Sequence, residues 1–220
     1  MTARPTILRL TLLVGLLSLT ACSSATGGSG GTAQNSKPSG APATAGATVD
    51  PSNVSQLLML VHEREPQDVT YILNATFKTS QGTAQGSGKA ILTRSPRRYL
   101  VDIQYPTAPS LNLHQIYDYD SKKITSTVQG QTTSGTTSIE AYYLLHNPVY
   151  VGKEQVNGKD AFHVSGTLFQ EQTGIATHLW IRGSDLYVVK STQHVEGQGL
   201  SDDRAYTDPV FNTGATIPAP

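Results

Sequence analysis

Apolar side chains recur at two different spacings along this chain, and the change from one to the other predicts its elements. Val54, Leu57, Leu58 and Val61 form a single stripe at helical spacing. Asp50-Pro51 ahead of the stripe supplies an N-cap residue and a proline for the first turn, and Glu65-Pro66 closes the segment. The period then drops to two. Val69, Tyr71, Leu73, Ala75 and Phe77 alternate with Thr70, Ile72, Asn74, Thr76 and Lys78, which predicts a long half-buried strand. Gly82 and Gly86 are expected to bracket a loose turn. Further strands are expected at 89–93, 98–104, 111–118 and 123–128, with a proline-bearing loop at 105–109. Residues 129–138 are polar and read as a loop. Thr137 and Glu140 then form a capping box that predicts a short second helix through Leu145, ended by Asn147-Pro148.

The last third reads as a meander. Asn157-Gly158 is a strong hairpin signal. It pairs Val156 with Lys159, Lys153 with Phe162, and Val151 with Val164. A second turn at Gly183-Ser184 would pair Ile181 with Val188, Leu179 with Lys190, and Trp180 with Tyr187. Large apolar groups then occupy both faces: Trp180, Tyr187 and Val189 on one, Leu179, Ile181 and Val188 on the other. A one-sided antiparallel sheet would alternate cleanly, so something is expected to cover each face. Residues 204–211 suggest a final strand.

The N-terminus changes the picture. Arg4 and Arg9 precede an apolar run from Leu10 to Leu19, followed by Thr20-Ala21-Cys22. Charge, length and small residues are those of a secretory signal peptide, and the run is too short to span a bilayer. The final residues resemble a bacterial lipobox, in which cleavage precedes the cysteine and the cysteine carries lipid, palmitate included. Residues 1–21 are thus read as a lipoprotein signal peptide and Cys22 as the lipidated first residue of the mature chain. Residues 22–48 are rich in Ser, Gly, Thr, Ala and Pro and are expected to form a disordered tether. A flexible linker of about 26 residues reaches roughly 28 Å. The folded domain is expected at 49–212, with a loose tail at 213–220. The expected location is the cell envelope, outside the cytoplasm and anchored to a membrane.

Composition removes several function classes. Cys22 is the only cysteine, so no disulfide, catalytic thiol or cysteine zinc site is available to the mature domain. The full chain balances 16 basic against 16 acidic residues, and loss of Arg4 and Arg9 leaves a net charge of −2, giving no field that would draw nucleic acid. Six histidines (His62, His114, His146, His163, His178 and His194) invite a metal site, but the predicted register brings none of them together. Asp118 and Asp120 read as turn residues, and Asp202-Asp203 as a solvated loop. Arg94, Arg97 and Arg98 flank Pro96; they read as a solvated turn, with contact to lipid phosphate as the alternative. Gly27-Gly28-Ser29-Gly30-Gly31 matches the serine-hydrolase elbow but lacks the strand and helix that motif needs. No cofactor motif is present, and the chain is not expected to be an enzyme.

The segments KAILTRSPRRY (89–99), YDYDS (117–121), VNGKDAFHVSG (156–166) and LWIRGSDLYVVK (179–190), in this order behind a lipobox, resemble the LolA-like superfamily of bacterial lipoprotein and lipid carriers. That group takes in LppX/LprG-type lipoproteins and RseB-type sensors. The resemblance implies an α+β fold: a strongly curved antiparallel sheet, an unclosed barrel, with a few helices covering its concave face. It also implies an apolar cavity that encloses acyl chains without covalent chemistry. The ligand-binding residues do not carry over individually. The expected partners are a lipid or acyl-chain ligand and the membrane through Cys22. The alternative is a regulatory protein that acts on a membrane-bound protein partner without bound lipid.

Overall fold

A computed structural model describes residues 50–220, Gln198 excepted. The expected signal peptide, the lipidated Cys22 and the tether lie outside the described residues. The described part opens with one α-helix, α1 (Val54–Glu63), and continues as eleven strands: β1 (Asp68–Thr79), β2 (Gly82–Arg94), β3 (Arg97–Gln104), β4 (Leu113–Asp118), β5 (Lys123–Val128), β6 (Gln131–Thr136), β7 (His146–Val156), β8 (Lys159–Gln170), β9 (Thr173–Arg182), β10 (Val188–Gly197) and β11 (Leu200–Phe211). All pair antiparallel in one sheet ordered β6-β5-β4-β3-β2-β1-β11-β10-β9-β8-β7, so the sheet is open, with β6 and β7 at its edges.

Its curvature follows from the hydrogen bonds of the segment that joins those edges. Thr137 N–H donates to Lys122 O (3.0 Å), in the β4–β5 turn, while Glu171 N–H, in the β8–β9 turn, donates to Ser138 O (2.9 Å). In a flat sheet those two turns would stand about seven strand spacings apart, roughly 33 Å. Two consecutive residues touch both, so the sheet is rolled until its two halves nearly meet. The expected curved, unclosed sheet is therefore present.

The joining segment, 137–145, is a strap and not the predicted second helix. Only Tyr142–Leu144 coils, as a 3-10 turn. The capping-box side chains are engaged elsewhere: Thr137 Oγ1 donates to Glu171 Oε1, and Glu140 Oε2 accepts Phe169 N–H. Gly166 admits the strap, since a Cβ there would lie 2.6 Å from Leu145 Cγ and 2.7 Å from His146 O.

Other expectations shift locally. Asn53, not Asp50, caps α1 by accepting Gln56 N–H, and Asp50 instead closes a turn through Ser52. Gly82 and Gly86 lie within β2. The polar stretch 131–136 is an exposed edge strand, entered through Gln129 and Gly130 in left-handed conformation. The Asn157-Gly158 hairpin has the predicted Val156–Lys159 and Lys153–Phe162 pairs, but an irregularity between Tyr150 and Gly152 places Tyr150 opposite Val164. In the next hairpin Ile181 does face Val188. The loop is longer, however, with Leu186 N–H bonded to Arg182 O, and a bulge then sets Trp180 opposite Lys190 and Leu179 opposite Ser191. Tyr187 packs on Phe211 instead.

The two faces of the sheet are closed differently. Inside, the α1 stripe packs on Leu145, Val164, Leu168, Leu179, Ile181, Leu186 and Val188. Outside, no second layer among the described residues covers Trp180; its ring lies 4.3 Å from the stacked His163 ring and beneath Lys190 Nζ (4.2 Å), and Nε1–H donates to Glu154 Oε2. The C-terminal tail is held, not loose. Asp68 accepts bonds from Thr213 and Gly214, and buried Ile217 packs on Leu100 and Ile116.

Candidate functional site

The inner face of the sheet carries two separate apolar clusters. The first is the one roofed by α1. The second is built from Leu73, Ala75 and Phe77 of β1, Ala84 and Ala90 of β2, Val101 and Ile103 of β3, Leu113 of β4 and Tyr206 of β11, with Tyr105 from the loop behind β3. Of these ten, only Tyr105 lies outside the sheet. Tyr71, Ala75 and Phe77, placed on one strand face by their period of two, do share this side, and Tyr71 Oη–H donates to Val188 O (2.9 Å).

A polar row crosses the second cluster. β11 pairs with β1 so that Asp202, Arg204 and Tyr206 stand opposite Phe77, Ala75 and Leu73, on the inner face. Arg204 donates through Nε (3.1 Å) and Nη2 (2.8 Å) to the same oxygen, Asp202 Oδ2. Next to them, Tyr99 Oη bonds Tyr206 Oη, which donates to Gln193 Oε1. Burial opposes the charge of Arg204, but Asp202 and the nearby tyrosines outweigh it and hold its pKa above the ordinary value. Burial, reinforced by Asp202, pushes the Tyr105 hydroxyl up to about 12. Asp202 is thus not part of a solvated loop. Asp203, beside it, points outward to His194 (2.6 Å) and Lys78.

A buried ionic knot ties the roof to the sheet. Glu65, just past α1, meets Arg97 of β3 through both oxygens at 2.8 Å, and Tyr142 of the strap donates to Oε1 at 2.6 Å. Arg94 donates from Nη1 to Glu65 O, and Arg98 bonds Asp118 and Ile217 O. The three arginines are therefore committed to protein partners. They form neither a solvated turn nor a free phosphate site. Asp118 and Asp120 do form a turn, with Asp118 Oδ1 accepting Asp120 and Ser121 N–H.

Two histidines meet after all. β8 pairs with β9, setting His163 opposite Trp180 and Ser165 opposite His178. On the outer face His163 Nδ1 lies 2.6 Å from Glu154 Oε1, and its Nε2 lies 2.9 Å from His178 Nδ1. The predicted separation failed because it used the two hairpins singly and not the ladder between them. Among the described residues no group of three or more His, Cys, Asp or Glu is arranged to hold a metal ion. The sequence assigns no site role to Glu65, which it reads only as the end of the first helix, to Glu154, or to Arg204, which it reads only as the start of the last strand. The period-two alternation of Asp202, Arg204 and Tyr206 is the one local signal that places Arg204 on the inner face.

No family model matches the chain, and no curated protein matches it in sequence. Solved structures similar to it include the lipoprotein LppX of Mycobacterium tuberculosis, at 12% identity and a TM-score of 0.43 over 77% of this chain and 100% of that one. LprF from Mycobacterium bovis is similar at 13% and 0.40, over 79% and 99%. A LolA superfamily protein from Nitrosomonas europaea is similar at 8% and 0.38, over 74% and 94%. These belong to the group that the sequence resembles. The likeness is one of fold, and at these scores neither ligand nor activity passes from them to this chain.

Proposed function

We propose that this protein is a lipid-anchored envelope lipoprotein whose domain encloses the acyl part of a lipid or another apolar ligand, for transfer or sensing. One observation carries the reading: the rolled sheet presents two apolar clusters on its inner face, and the only α-helix among the described residues roofs just one of them. A layered domain normally covers its whole apolar face with secondary structure. Among the described residues the second cluster has only the sheet's own curl and the 105–111 loop over it. Each methylene moved from water onto such a surface contributes about 0.8 kcal/mol, so a long acyl chain is held without a polar reader. The signal sequence and Cys22 support the anchor.

The test is mass spectrometry of lipids extracted from residues 49–220 purified without detergent, with titration of a fluorescent fatty acid or phospholipid. Co-purified lipid and saturable binding are expected. A folded domain that carries no lipid and binds no acyl probe would overturn the reading, and regulation of a membrane-bound protein partner would replace it.

A further inference from the structure

Among the described residues three buried side-chain polar atoms lack a hydrogen-bond partner: Glu65 Oε2, Arg97 Nε and Asp202 Oδ1. Asp202 is about 94% buried, at 6% relative exposure, and its Oδ1 has no hydrogen-bond partner, although Oδ2 takes both bonds from Arg204. Buried carboxylate oxygens are costly to leave unpaired, and native structures seldom do so. Two nearby hydroxyls are already engaged elsewhere: Tyr99 bonds Tyr206, and Tyr206 bonds Gln193. Glu65 Oε2 and Arg97 Nε belong to one ion pair, in which Glu65 Oε2 has Arg97 Nη1 at 2.8 Å although it makes no hydrogen bond of good geometry; Asp202 Oδ1 has no such cation contact. Asp202 Oδ1 therefore stands out as an acceptor waiting for a donor, set among Phe77, Ala75 and Tyr105 in the wall proposed above to hold acyl chains.

We propose that the Asp202–Arg204 pair is the head-group recognition point of that wall, and that it selects a lipid whose polar end is an uncharged hydrogen-bond donor, a hydroxyl or amide. The inference rests on the lipid-binding reading. The charges decide the class. The pair is neutral as a whole, so an anionic carboxylate or phosphate gains no net attraction and meets the Asp202 oxygen as a like charge. A cationic head meets Arg204 in the same way. A hydroxyl supplies the missing proton to Oδ1 while the chain stays on the apolar surface beside it. A hydrogen bond to an ionised group favours the donor-bearing ligand by about ten- to hundredfold.

The test uses the full chain in phospholipid nanodiscs with photoactivatable probes of one chain length: a monoacylglycerol, the free fatty acid and its methyl ester. The wild type should be labelled by the monoacylglycerol about ten- to hundredfold more than by the ester, with the fatty acid no better than the ester. Asp202→Leu combined with Arg204→Met replaces the pair by apolar groups of similar volume, which buried ion pairs commonly tolerate. In that variant the ratio should fall to within about threefold of one. Asp202→Asn, should the double variant fail to fold, should lower the ratio in the same direction. Asp203→Asn, on the outer face, should leave it unchanged. Equal labelling by all three probes overturns the head-group assignment and leaves the lipid-binding reading standing. Preference for the fatty acid, or a ratio that survives in the folded double variant, also overturns the assignment. No labelling of the wild type by any probe overturns both.

Discussion

Trp180 offers a test of which face of the sheet is which. It is buried, yet it lies on the outer face, while its neighbours Leu179 and Ile181 point inward against α1. Truncation to Ala removes the ring that stacks on His163 and lies under Lys190, and it costs about 3–5 kcal/mol, as for other buried aromatic residues. For a domain of this size each kcal/mol lowers the melting temperature by roughly 2–4 °C, so a fall of about 6–20 °C is expected. Trp180→Phe separates the contributions. It keeps a ring in the stack but loses the 2.7 Å bond to Glu154. The Glu154 side chain is 46% exposed and turns to water, so that loss should be only about 1 kcal/mol. Acyl-probe binding by Trp180→Ala should match wild type below its melting temperature, whereas Ala75→Trp, in the inner-face cluster that α1 leaves unroofed, should weaken it. An unchanged melting temperature for Trp180→Ala would refute the packing argument. A loss of binding equal to that of Ala75→Trp would refute the assignment of faces.

Three further outcomes are expected. Cys22→Ala should abolish fatty-acid labelling and move the protein from membrane to soluble fraction or unprocessed precursor; labelling that persists in the variant refutes the anchor. Ala75→Trp, in the inner wall between Tyr71 and Phe77, should reduce acyl-probe affinity by more than its effect on melting temperature accounts for. Asp118 is held at about 2 by bonds from the Arg98 side chain and Ser121 N–H. Its folded pKa lies below the unfolded value, so its contribution, about 2 kcal/mol, is present above pH ~4 and lost as pH falls toward 2. Urea denaturation of Asp118→Asn should lack that part of the acid slope, and an unchanged slope would refute the assignment.

What the sequence conveys about this fold depends on whether an element's neighbours share its pattern. β1 is legible because one side of it is buried, so Val69, Leu73, Ala75 and Phe77 mark the inner face without further information. β6 is not, because every residue of Gln131–Thr136 is exposed at a sheet edge, and alternation vanishes when neither face is buried. The second helix fails for the opposite reason. Thr137 and Glu140 form a valid capping box locally, but the rolled sheet needs an extended strap there, and their side chains bond β8 and the β8–β9 turn instead. The hairpin at 183–186 errs by loop length and a single bulge, enough to exchange the partner of Trp180 from Tyr187 to Lys190.

The candidate site lies at the far end of that scale, because its polar members become meaningful only through a pairing between strands more than a hundred residues apart. Asp202-Asp203 reads as solvated when taken as two adjacent acids. Once Asp202 is set opposite Phe77 and Asp203 opposite Thr76, the two acids part company: one enters the apolar wall with Arg204, and the other faces water with His194 and Lys78. The same logic governs His163 and His178, which lie on separate strands and meet only through the β8–β9 ladder. Alternation along one strand says that two side chains share a face, but not whether that face is wet. The long-range register supplies this, and it turns an acidic dipeptide into one buried acceptor and one surface ion pair.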